Sequence, residues 1–503
     1  MLYALRHTPA ALIAAALAVT ATVAMFEAPE ALAQRVQSRG PQSVSPIAKV
    51  LIPAVVNVST SQVSKGPKGV PLPDVPDGAP FEKFFDDFFD QDGSGIGRKV
   101  SSLGSGFVID GKEGLIVTNN HVIADADEIY VNFFDGSKLK VEKIIGRDAK
   151  TDLALLKVAP KKPLAQVKFG SSETMEVGDW VMAIGNPFGL GGSVTVGIIS
   201  AKERDINSGP YDDFLQTDAA INKGNSGGPL FNMDGDVIGV NTAIISPTGG
   251  SIGIGFAVPS DTALNVIAQL REYGETRRGW LGVRIQSISE DIASTLGVEE
   301  NKGALVAAVE PDSPAAKSGI ASGDVILKFD GKDVMTMRGL PRIVAQTPIG
   351  KKVPVEILRD GKTQSLDVEI GRLVEPEEGE EAKGPADNGN GGQPDEGRDG
   401  APAGGAGIAG LGVAPINDEL REKYNLGPKS EGLVVTLVEP DSPAAKKNVN
   451  EGDVIVEVAQ DKVTTTEEMV AAVDKVRRSG RKAVLLRIET ANGDMRFVAV
   501  PLE

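Results

Sequence analysis

The sequence predicts a mostly β protein, in which closed antiparallel barrels are followed by two smaller α+β domains. From Leu103 to Val258, short apolar segments alternate with Gly, Asn and Asp, and no long helical pattern separates them. Many short strands with frequent turns are typical of closed barrels. A helix is predicted next, at Asp261–Tyr273, where apolar residues recur at helical spacing. The length of 503 residues is too great for a single core and agrees with several domains.

An internal repeat indicates that the C-terminal part contains two copies of one fold. The segment GALVAAVEPDSPAAK at 303–317 recurs as GLVVTLVEPDSPAAK at 432–446. The tripeptide LGV at 281–283 likewise recurs at 411–413, and we align the two. Two related domains of similar size explain both matches.

Changes in composition place the boundaries between these parts. The stretch between the repeats is rich in Glu, Gly, Pro and Asp with almost no large apolar residue, so we predict a flexible linker there. The predicted division is a leader at 1–33, an N-terminal segment at 34–100, a barrel domain at 101–274, α+β domains at 275–373 and 407–503, and the linker at 374–406.

The first residues have the pattern of a secretory signal. Arg6 and His7 precede an apolar run at 10–26, and the small-residue site Ala-Leu-Ala follows at 31–33. We expect cleavage after this site, which would place the mature protein outside the cytoplasm. The alternative is a retained membrane anchor, because the run approaches spanning length. No later segment resembles a transmembrane helix.

Residues 34–100 contain one unusual segment. Five phenylalanines lie within 81–89, between flanks rich in Pro and Gly. Exposed apolar patches of this kind usually mark an interface, so we predict a contact with another chain. The alternative is that the segment folds back on its own domain.

Composition excludes several kinds of chemistry. The chain has no cysteine and only two histidines, which rules out thiol nucleophiles, disulfides and multi-imidazole zinc sites. A net charge of −17 argues against nucleic acid as a partner. The GxGxxG pattern at 405–410 follows the linker instead of a strand, and no GxxxxGK[ST] occurs. We therefore expect no metal, no nucleotide and no other cofactor.

A glycine-framed serine is the candidate nucleophile. Ser226 lies in GNSGGPL at 224–230. A serine hydroxyl needs a base to become nucleophilic. Glycines permit a tight turn in which backbone N–H groups converge beside the hydroxyl and stabilise an oxyanion. We assign Gly224, Asn225 and Ser226 to this oxyanion hole.

The base and its orienting carboxylate complete a predicted catalytic triad. His121, in TNNHV at 118–122, is the only histidine that remains once the leader is removed. Asp152 opens the apolar strand LALL, where it can be partly buried and can hold the imidazole tautomer. Asp148 is the nearest rival, and we expect it to be solvated because a polar loop follows it.

The three motifs, in the order His, Asp, Ser, resemble those of the HtrA (Do, DegP-type) family of serine endoproteases. The resemblance extends from about Val44 to the C-terminus. It implies a chymotrypsin/trypsin-like double β-barrel followed by two PDZ domains. It also implies a homo-oligomer built from trimers that degrades unfolded polypeptides in the periplasm of the cell envelope, with chaperone activity possible beside proteolysis. Because no GxxxxGK[ST] pattern occurs, we expect this proteolysis to need no ATP.

The same resemblance implies a specificity pocket and a regulatory residue. Trypsin-like enzymes that prefer basic side chains carry an acid where this chain has Ala220, so Ile221 and Ile244 would line an apolar pocket for small aliphatic residues. Asp218 lies nearby, and its direction is left open by the pattern. Arg204, in the segment 201–211, corresponds to the family's regulatory loop.

PDZ domains bind an extended peptide as an added strand and hold its terminal carboxylate with backbone N–H groups. In the first copy the carboxylate loop would comprise Trp280, Leu281, Gly282 and Val283. In the second copy it would lie at 409–413, which has no aromatic residue, so that a plain core strand is an equal alternative there. Two other functions remain open: a peptide-holding chaperone with a vestigial protease domain, and a processing protease with one signalling substrate.

Overall fold

The computed structural model describes residues 40–41, 43–63, 98–124, 126–187, 191–222, 224–247, 250–374 and 408–502. The leader predicted at 1–33 and the phenylalanine segment at 81–89 lie outside the described residues, as does the linker at 374–406 except for Val374. No helix in the described ranges combines the length and apolar character that crossing a membrane requires.

The first barrel is built from six antiparallel strands and is closed. A short helix, α1 (Ser45–Leu51), leads into it. The remaining elements are β1 (Val55–Val63), β2 (Arg98–Asp110), β3 (Leu115–Thr118), the one-turn helix α2 (Asn120–Ile123), β4 (Glu128–Asn132), β5 (Lys138–Asp148) and β6 (Leu153–Val158). The strand order around the barrel is β1-β2-β3-β6-β5-β4.

The second barrel repeats this plan and packs against the first. Its strands are β7 (Trp180–Gly185), β8 (Ser193–Arg204), β9 (Phe214–Thr217), β10 (Pro229–Phe231), β11 (Val237–Ile244) and β12 (Gly255–Pro259), closed in the order β10-β11-β12-β9-β8-β7. The predicted helix is present as α3 (Ser260–Tyr273), and it ends at Gly274 in the left-handed conformation. Phe107 and Leu155 of the first barrel share one apolar core with Phe231 of the second.

The first α+β domain follows α3 directly. Its elements are β13 (Gly279–Trp280), β14 (Val283–Gln286), α4 (Glu290–Leu296), β15 (Ala304–Val309), α5 (Pro314–Ser318), β16 (Val325–Phe329), β17 (Lys332–Asp333), α6 (Gly339–Gln346), β18 (Lys352–Arg359), β19 (Lys362–Glu369) and β20 (Gly371–Arg372). The main sheet has the order β14-β15-β16-β18-β19, and α6 packs against it through Leu340, Ile343 and Val344.

The second α+β domain has the same topology. Its elements are β21 (Leu411–Pro415), α7 (Asp418–Lys423), β22 (Leu433–Val438), β23 (Val454–Val458), β24 (Asp461–Lys462), α8 (Thr466–Arg478), β25 (Ala483–Glu489) and β26 (Met495–Pro501). The sheet order β21-β22-β23-β25-β26 matches that of the first domain strand for strand. The internal repeat therefore corresponds to two copies of one fold.

The alignment of the two LGV segments, however, is wrong by two residues. Gly282 has φ 79°, and a Cβ on it would lie 2.2 Å from the Cβ of Ser313. Gly410 has φ 81° and meets Ser442 at the same 2.2 Å. Only glycine adopts this left-handed turn without strain in so little space. Gly282 therefore corresponds to Gly410, whereas Gly412 lies inside β21.

Candidate active site

His121 and Asp152 contact each other at the edge of the first barrel. Asp152 Oδ2 lies 2.6 Å from His121 Nδ1, and Asp152 Oδ1 accepts the backbone N–H of His121 at 2.8 Å. The carboxylate therefore binds the ring and the main chain of the same residue. Asp152 has φ 55°, a left-handed conformation that turns its side chain towards α2. This geometry orients the imidazole so that Nε2 is left for a substrate or a hydroxyl.

Asn119, two residues before His121, links the His121–Asp152 pair to the second barrel by hydrogen bonds. We did not predict this role. Asn119 Nδ2 donates to the carbonyl of Asp152 at 2.7 Å and to Thr242 Oγ1 at 3.0 Å. Asn119 is fully buried and Thr242 belongs to β11. The only signal in the sequence was the polar pair NN before His121, which did not indicate a partner more than a hundred residues away.

The loop that carries Ser226 packs against the segment that leads to His121. A Cβ on Gly227 would lie 2.4 Å from Thr118 Oγ1 and 3.0 Å from the backbone nitrogen of Asn119. A Cβ on Gly104 would meet both Val122 and the carbonyl of Ser226, the latter at 3.1 Å. Glycine at these positions lets the two segments approach closely. The structure thus brings the segments of the three predicted triad residues together where the barrels meet.

The hydroxyl of Ser226 makes no hydrogen bond to His121 within the described residues. Its side chain is half-buried, between the buried Gly224, Asn225 and Gly227. Catalytic hydrogen bonds are often long or poorly aligned until substrate binds. The arrangement matches a site whose hydroxyl contact with the base forms on binding.

Two of the three predicted oxyanion donors have free N–H groups. Within the described residues, the N–H groups of Gly224 and Ser226 have no hydrogen-bond acceptor. The N–H of Asn225 instead donates to the carbonyl of Asn222 at 3.0 Å. That bond closes a turn, so Asn225 is no longer among the candidate donors. Gly224 has φ 99°, which only glycine adopts readily.

The residues predicted for the specificity pocket lie next to one another. Ile221 is 1% exposed, and Ile244 packs against the same apolar cluster. Gly255, opposite Ile244 in the ladder of β11 and β12, leaves room for Ile221, whose Cγ1 would lie 2.8 Å from a Cβ at that position. Asp218 is exposed, and its Oδ1 accepts the N–H of Ile198 at 2.7 Å. Its direction, which the sequence left open, is thus towards the backbone of β8.

Asp148, the rival carboxylate, is buried, so the expectation that it is solvated was wrong. It is 4% exposed and its Oδ2 lies 2.5 Å from Nη2 of Arg278, which is 8% exposed. Thr151 Oγ1 donates to the same oxygen at 2.5 Å. Arg278 comes from the connection between α3 and β13, and its guanidinium also lies 4.7 Å from the ring centre of Tyr211.

Arg204 is the last residue of β8 and is exposed. Its Nε donates to Gln216 Oε1 at 2.9 Å. The residues around it make the contact with the first α+β domain. Arg338 and Arg342, at the start of α6, form ion pairs with Asp205 and Asp213 respectively. Burial raises the pKa of Asp213, and the charge of Arg342 opposes that rise. The sequence indicated the loop at 201–211, but we did not predict that Asp205 and Asp213 bind α6.

The predicted carboxylate loop of the first α+β domain has backbone N–H groups that no other described residue binds. Leu281 is buried in the domain core, Gly282 turns the chain, and Val283 begins β14. Within the described residues, the N–H groups of Leu281 and Gly282 donate to no acceptor. Trp280 pairs with Gly371 in the small sheet beside the loop. Free N–H groups at the start of an edge strand are what capture of a peptide carboxylate requires.

The equivalent loop of the second α+β domain is more closed. It comprises Ile408, Ala409 and Gly410, two residues earlier than the alignment of LGV segments implied. The N–H of Leu411, which begins β21, donates to the carbonyl of Ile408 at 3.0 Å. The loop therefore uses one of its own N–H groups internally.

Two closed barrels with this site at their junction define the chain as a trypsin-like serine protease with peptide-binding domains. The family model "Trypsin-like peptidase domain" matches residues 104–240, and the model "PDZ domain" matches residues 279–370 and 409–489. A peptide-bound solved structure, "HtrA-type protease AlgW with decapeptide", has 41% identity and a TM-score of 0.54, over 66% of this chain and 100% of its own.

The chain belongs to the DegP-like serine endoproteases of the HtrA family. A protein described as a probable periplasmic serine endoprotease DegP-like from Brucella melitensis biotype 1 is 43% identical over 500 residues, which cover 94% of this chain and 92% of the relative. One with the same description from Rhizobium meliloti is 40% identical and covers 99% of both chains. The predictions of the fold class, of the family and of a serine endoprotease are confirmed.

Proposed function

We propose that this protease cleaves unfolded polypeptides in the periplasm, with Ser226 as nucleophile, His121 as general base and Asp152 as the residue that orients His121. The observation that carries this assignment is the pair of contacts from one carboxylate to the ring and to the backbone N–H of the only histidine in the described residues. The contact of Gly227 with Thr118 and Asn119 supports it, because it holds the serine loop beside that histidine.

The reaction follows from these positions. Ser226 Oγ attacks the scissile carbonyl while His121 Nε2 takes its proton, and Asp152 stabilises the imidazolium that forms. The free N–H groups of Gly224 and Ser226 bind the oxyanion, a contribution of roughly 3–4 kcal/mol per donor. His121 then protonates the leaving amine, and water releases the acyl-enzyme by the same steps. Ile221 and Ile244 would select a small aliphatic residue before the cleaved bond.

The remaining parts of the chain have supporting roles in this proposal. The leader at 1–33 directs export, the first PDZ domain binds C-terminal peptides through the loop 280–283, and the 201–213 segment, including Arg204, transmits occupancy to the active site. The protein acts as a homo-oligomer built from trimers, with the phenylalanine segment 81–89 as a contact. The closed loop at Ile408–Gly410 makes the second PDZ domain the weaker peptide binder.

A casein assay tests the catalytic assignment. Purified wild type should degrade unfolded casein without ATP, and Ser226→Ala should lower kcat at least about a thousandfold, because the nucleophile contributes most of the triad's effect. Circular dichroism should show that the variant is folded. Cleavage retained in Ser226→Ala, or casein held without cleavage by wild type, would contradict the proposal.

A further inference from the structure

Ser105, on β2 of the first barrel, lies under the whole serine loop of the second barrel and is not part of the triad. It is completely buried. Its hydroxyl donates to the carbonyl of Gly224 at 2.6 Å and accepts the N–H of Asn186 at 2.8 Å. Its backbone N–H donates to the carbonyl of Ser226 at 2.8 Å. One residue of the first barrel thus holds both residues that carry the candidate oxyanion N–H groups.

A fourth bond links Ser105 to the histidine segment. Its carbonyl accepts the hydroxyl of Thr118 at 2.7 Å. The loop is too close for any side chain at its glycines, since a Cβ on Gly227 would lie 2.3 Å from the carbonyl of Ser105. A Cβ on Gly228 would likewise lie 3.2 Å from the Cβ of Ser105. Ser105 therefore binds the segment of the nucleophile, the residues of the oxyanion N–H groups and the segment that leads to His121.

The N–H of a residue lies in the peptide plane before that residue, and φ and ψ of the residue relate this plane to the next one. A peptide unit is planar, so a hydrogen bond to its oxygen fixes the whole plane. Gly224, at φ 99°, has a backbone that can rotate easily, because no Cβ restricts it. Only the hydroxyl of Ser105 is bonded to the Gly224 carbonyl among the described residues. The other bond to this plane is that of the Asn225 N–H to the Asn222 carbonyl at 3.0 Å. Loss of the Ser105 hydroxyl therefore leaves the plane held from the N–H side alone.

We propose that Ser105 is a positioning residue for the oxyanion hole: its hydroxyl holds the Gly224 carbonyl, and thereby the N–H groups of Gly224 and Ser226, in the orientation that binds the tetrahedral intermediate. Ser105 is buried under the loop and does not touch substrate. Loss of its hydroxyl lowers the rate of the chemical step and leaves substrate binding unchanged, because PDZ peptide binding and the pocket isoleucines do not depend on it. This inference rests on the proposed catalytic role of Ser226.

The test compares Ser105→Ala with Ser260→Ala in the full-length protein. Ser260 is also completely buried, and its hydroxyl donates to the carbonyl of Gly170 at 2.7 Å, at the start of α3. Both variants lose a bond from a buried hydroxyl to a carbonyl, and Ser105→Ala also loses the bond from the Asn186 N–H. Tm therefore reports the structural cost of each variant, and kcat is compared beside it. Cleavage of labelled unfolded casein and phosphonylation by a fluorophosphonate probe would be measured beside Tm.

We expect kcat of Ser105→Ala to fall about 10- to 100-fold with KM within twofold, somewhat less than complete loss of an oxyanion donor. Ser260→Ala should keep kcat within twofold. A Ser105→Ala variant whose kcat follows that of Ser260→Ala would overturn the inference and leave the proposed function intact. Cleavage retained in Ser226→Ala would remove the proposed function itself.

Ser105→Cys covers the case in which Ser105→Ala does not fold. A thiol keeps a polar hydrogen at this position but is larger than a hydroxyl and is a weak donor. We expect a kcat between those of wild type and Ser105→Ala, with KM unchanged. A folded Ser105→Cys with wild-type kcat and a lowered Tm would show that the hydroxyl acts on stability alone, which contradicts the inference.

Discussion

Two neighbouring carboxylates, Asp148 and Asp152, show how single residues of one type acquire different tasks. Asp152 lies at the edge of the barrel and reaches the ring of His121. Asp148 turns inward and pairs with Arg278, which is 130 residues further along the chain. The apolar strand after Asp152 was visible in the sequence, whereas the arginine that buries Asp148 was not. A partner so distant in sequence becomes visible only in the folded chain.

The buried Asp148–Arg278 pair leads to a stability prediction. Replacing Arg278 with Met leaves a buried carboxylate without its countercharge, a change that costs about 3–5 kcal/mol when one partner of a buried pair is removed. We expect Arg278→Met to lower the free energy of unfolding of the protease domain by that amount. Denaturant unfolding, with Ser226→Ala in the background to prevent self-cleavage, measures it.

The control for this prediction is Arg271→Met. Arg271 pairs with Glu113 at 2.8 Å, but both side chains are about half exposed, and exposed pairs contribute up to about 1 kcal/mol. We also expect Asp148→Asn to recover part of the loss in the double variant. Equal effects of Arg278→Met and Arg271→Met would show that burial of the first pair has no energetic consequence.

At the scale of elements, β14 has two faces with different partners. Val283 and Ile285 pack into the core that also contains α6. Arg284 and Gln286 point to the opposite face, as the period of a strand requires, and meet the second PDZ domain. The side chain of Gln286 donates to the carbonyl of Phe497 and accepts its N–H, both at 2.8 Å. The strand that would bind a peptide is also the strand that docks the other domain.

This docking has an apolar centre. Ile292 and Leu305 of the first PDZ domain form a buried cluster with Leu485 and Phe497 of the second. The exposed ion pair of Arg284 with Asp494 lies at its rim. The two PDZ domains therefore share an interface with a buried apolar centre and a polar rim.

We predict that Gln286→Ala separates the two PDZ domains. Two lost hydrogen bonds of about 1 kcal/mol each shift the docking equilibrium roughly 30-fold. Small-angle X-ray scattering of the full chain should then give a larger radius of gyration. Gln364→Ala, on the exposed face of β19, is the control and should scatter like wild type. Unchanged scattering in Gln286→Ala would mean that the apolar cluster holds the domains without Gln286.

The repeat shows what element-level prediction could and could not achieve. Matching segments at 303–317 and 432–446 correctly indicated two copies of one fold. The LGV match was a coincidence of composition, because the turn before the first strand depends on φ and on a close contact with a serine at 313 or 442. Those quantities are properties of the backbone path, and a short apolar tripeptide does not encode them alone.

At the scale of the whole molecule, α6 contacts both the core beneath β14 and the protease domain. Ile343 and Val344 face the core that β14 shares, while Arg338 and Arg342 bind Asp205 and Asp213 of the protease. A peptide added beside β14 would therefore press on a helix that holds the 201–213 segment.

This arrangement predicts the behaviour of Arg342→Met. The ratio of casein cleavage with and without a C-terminal peptide should fall towards one, because α6 loses one of its two ion pairs with the protease, the pair with the partly buried Asp213. Peptide affinity, measured by fluorescence anisotropy, should be unchanged, because Arg342 binds the protease and is not part of the apolar core that β14 shares. Lys351→Met, which removes an exposed pair with Asp330 inside the same domain, is the control. Activation that is equal in wild type and Arg342→Met would rule out this route.

The sequence by itself determined the kinds of domain and the residues that we propose for the chemistry. Local motifs specify these features, because a few consecutive residues are enough to recognise each of them: a glycine-framed serine, a histidine after a strand and an aspartate before a strand. The tertiary structure decided what supports them: Arg278 against Asp148, Ser105 under the serine loop, Asn119 across to Thr242, and α6 against the protease. Each of these contacts joins residues far apart in sequence, and burial and distance between such residues are set by chain packing, which no local pattern records.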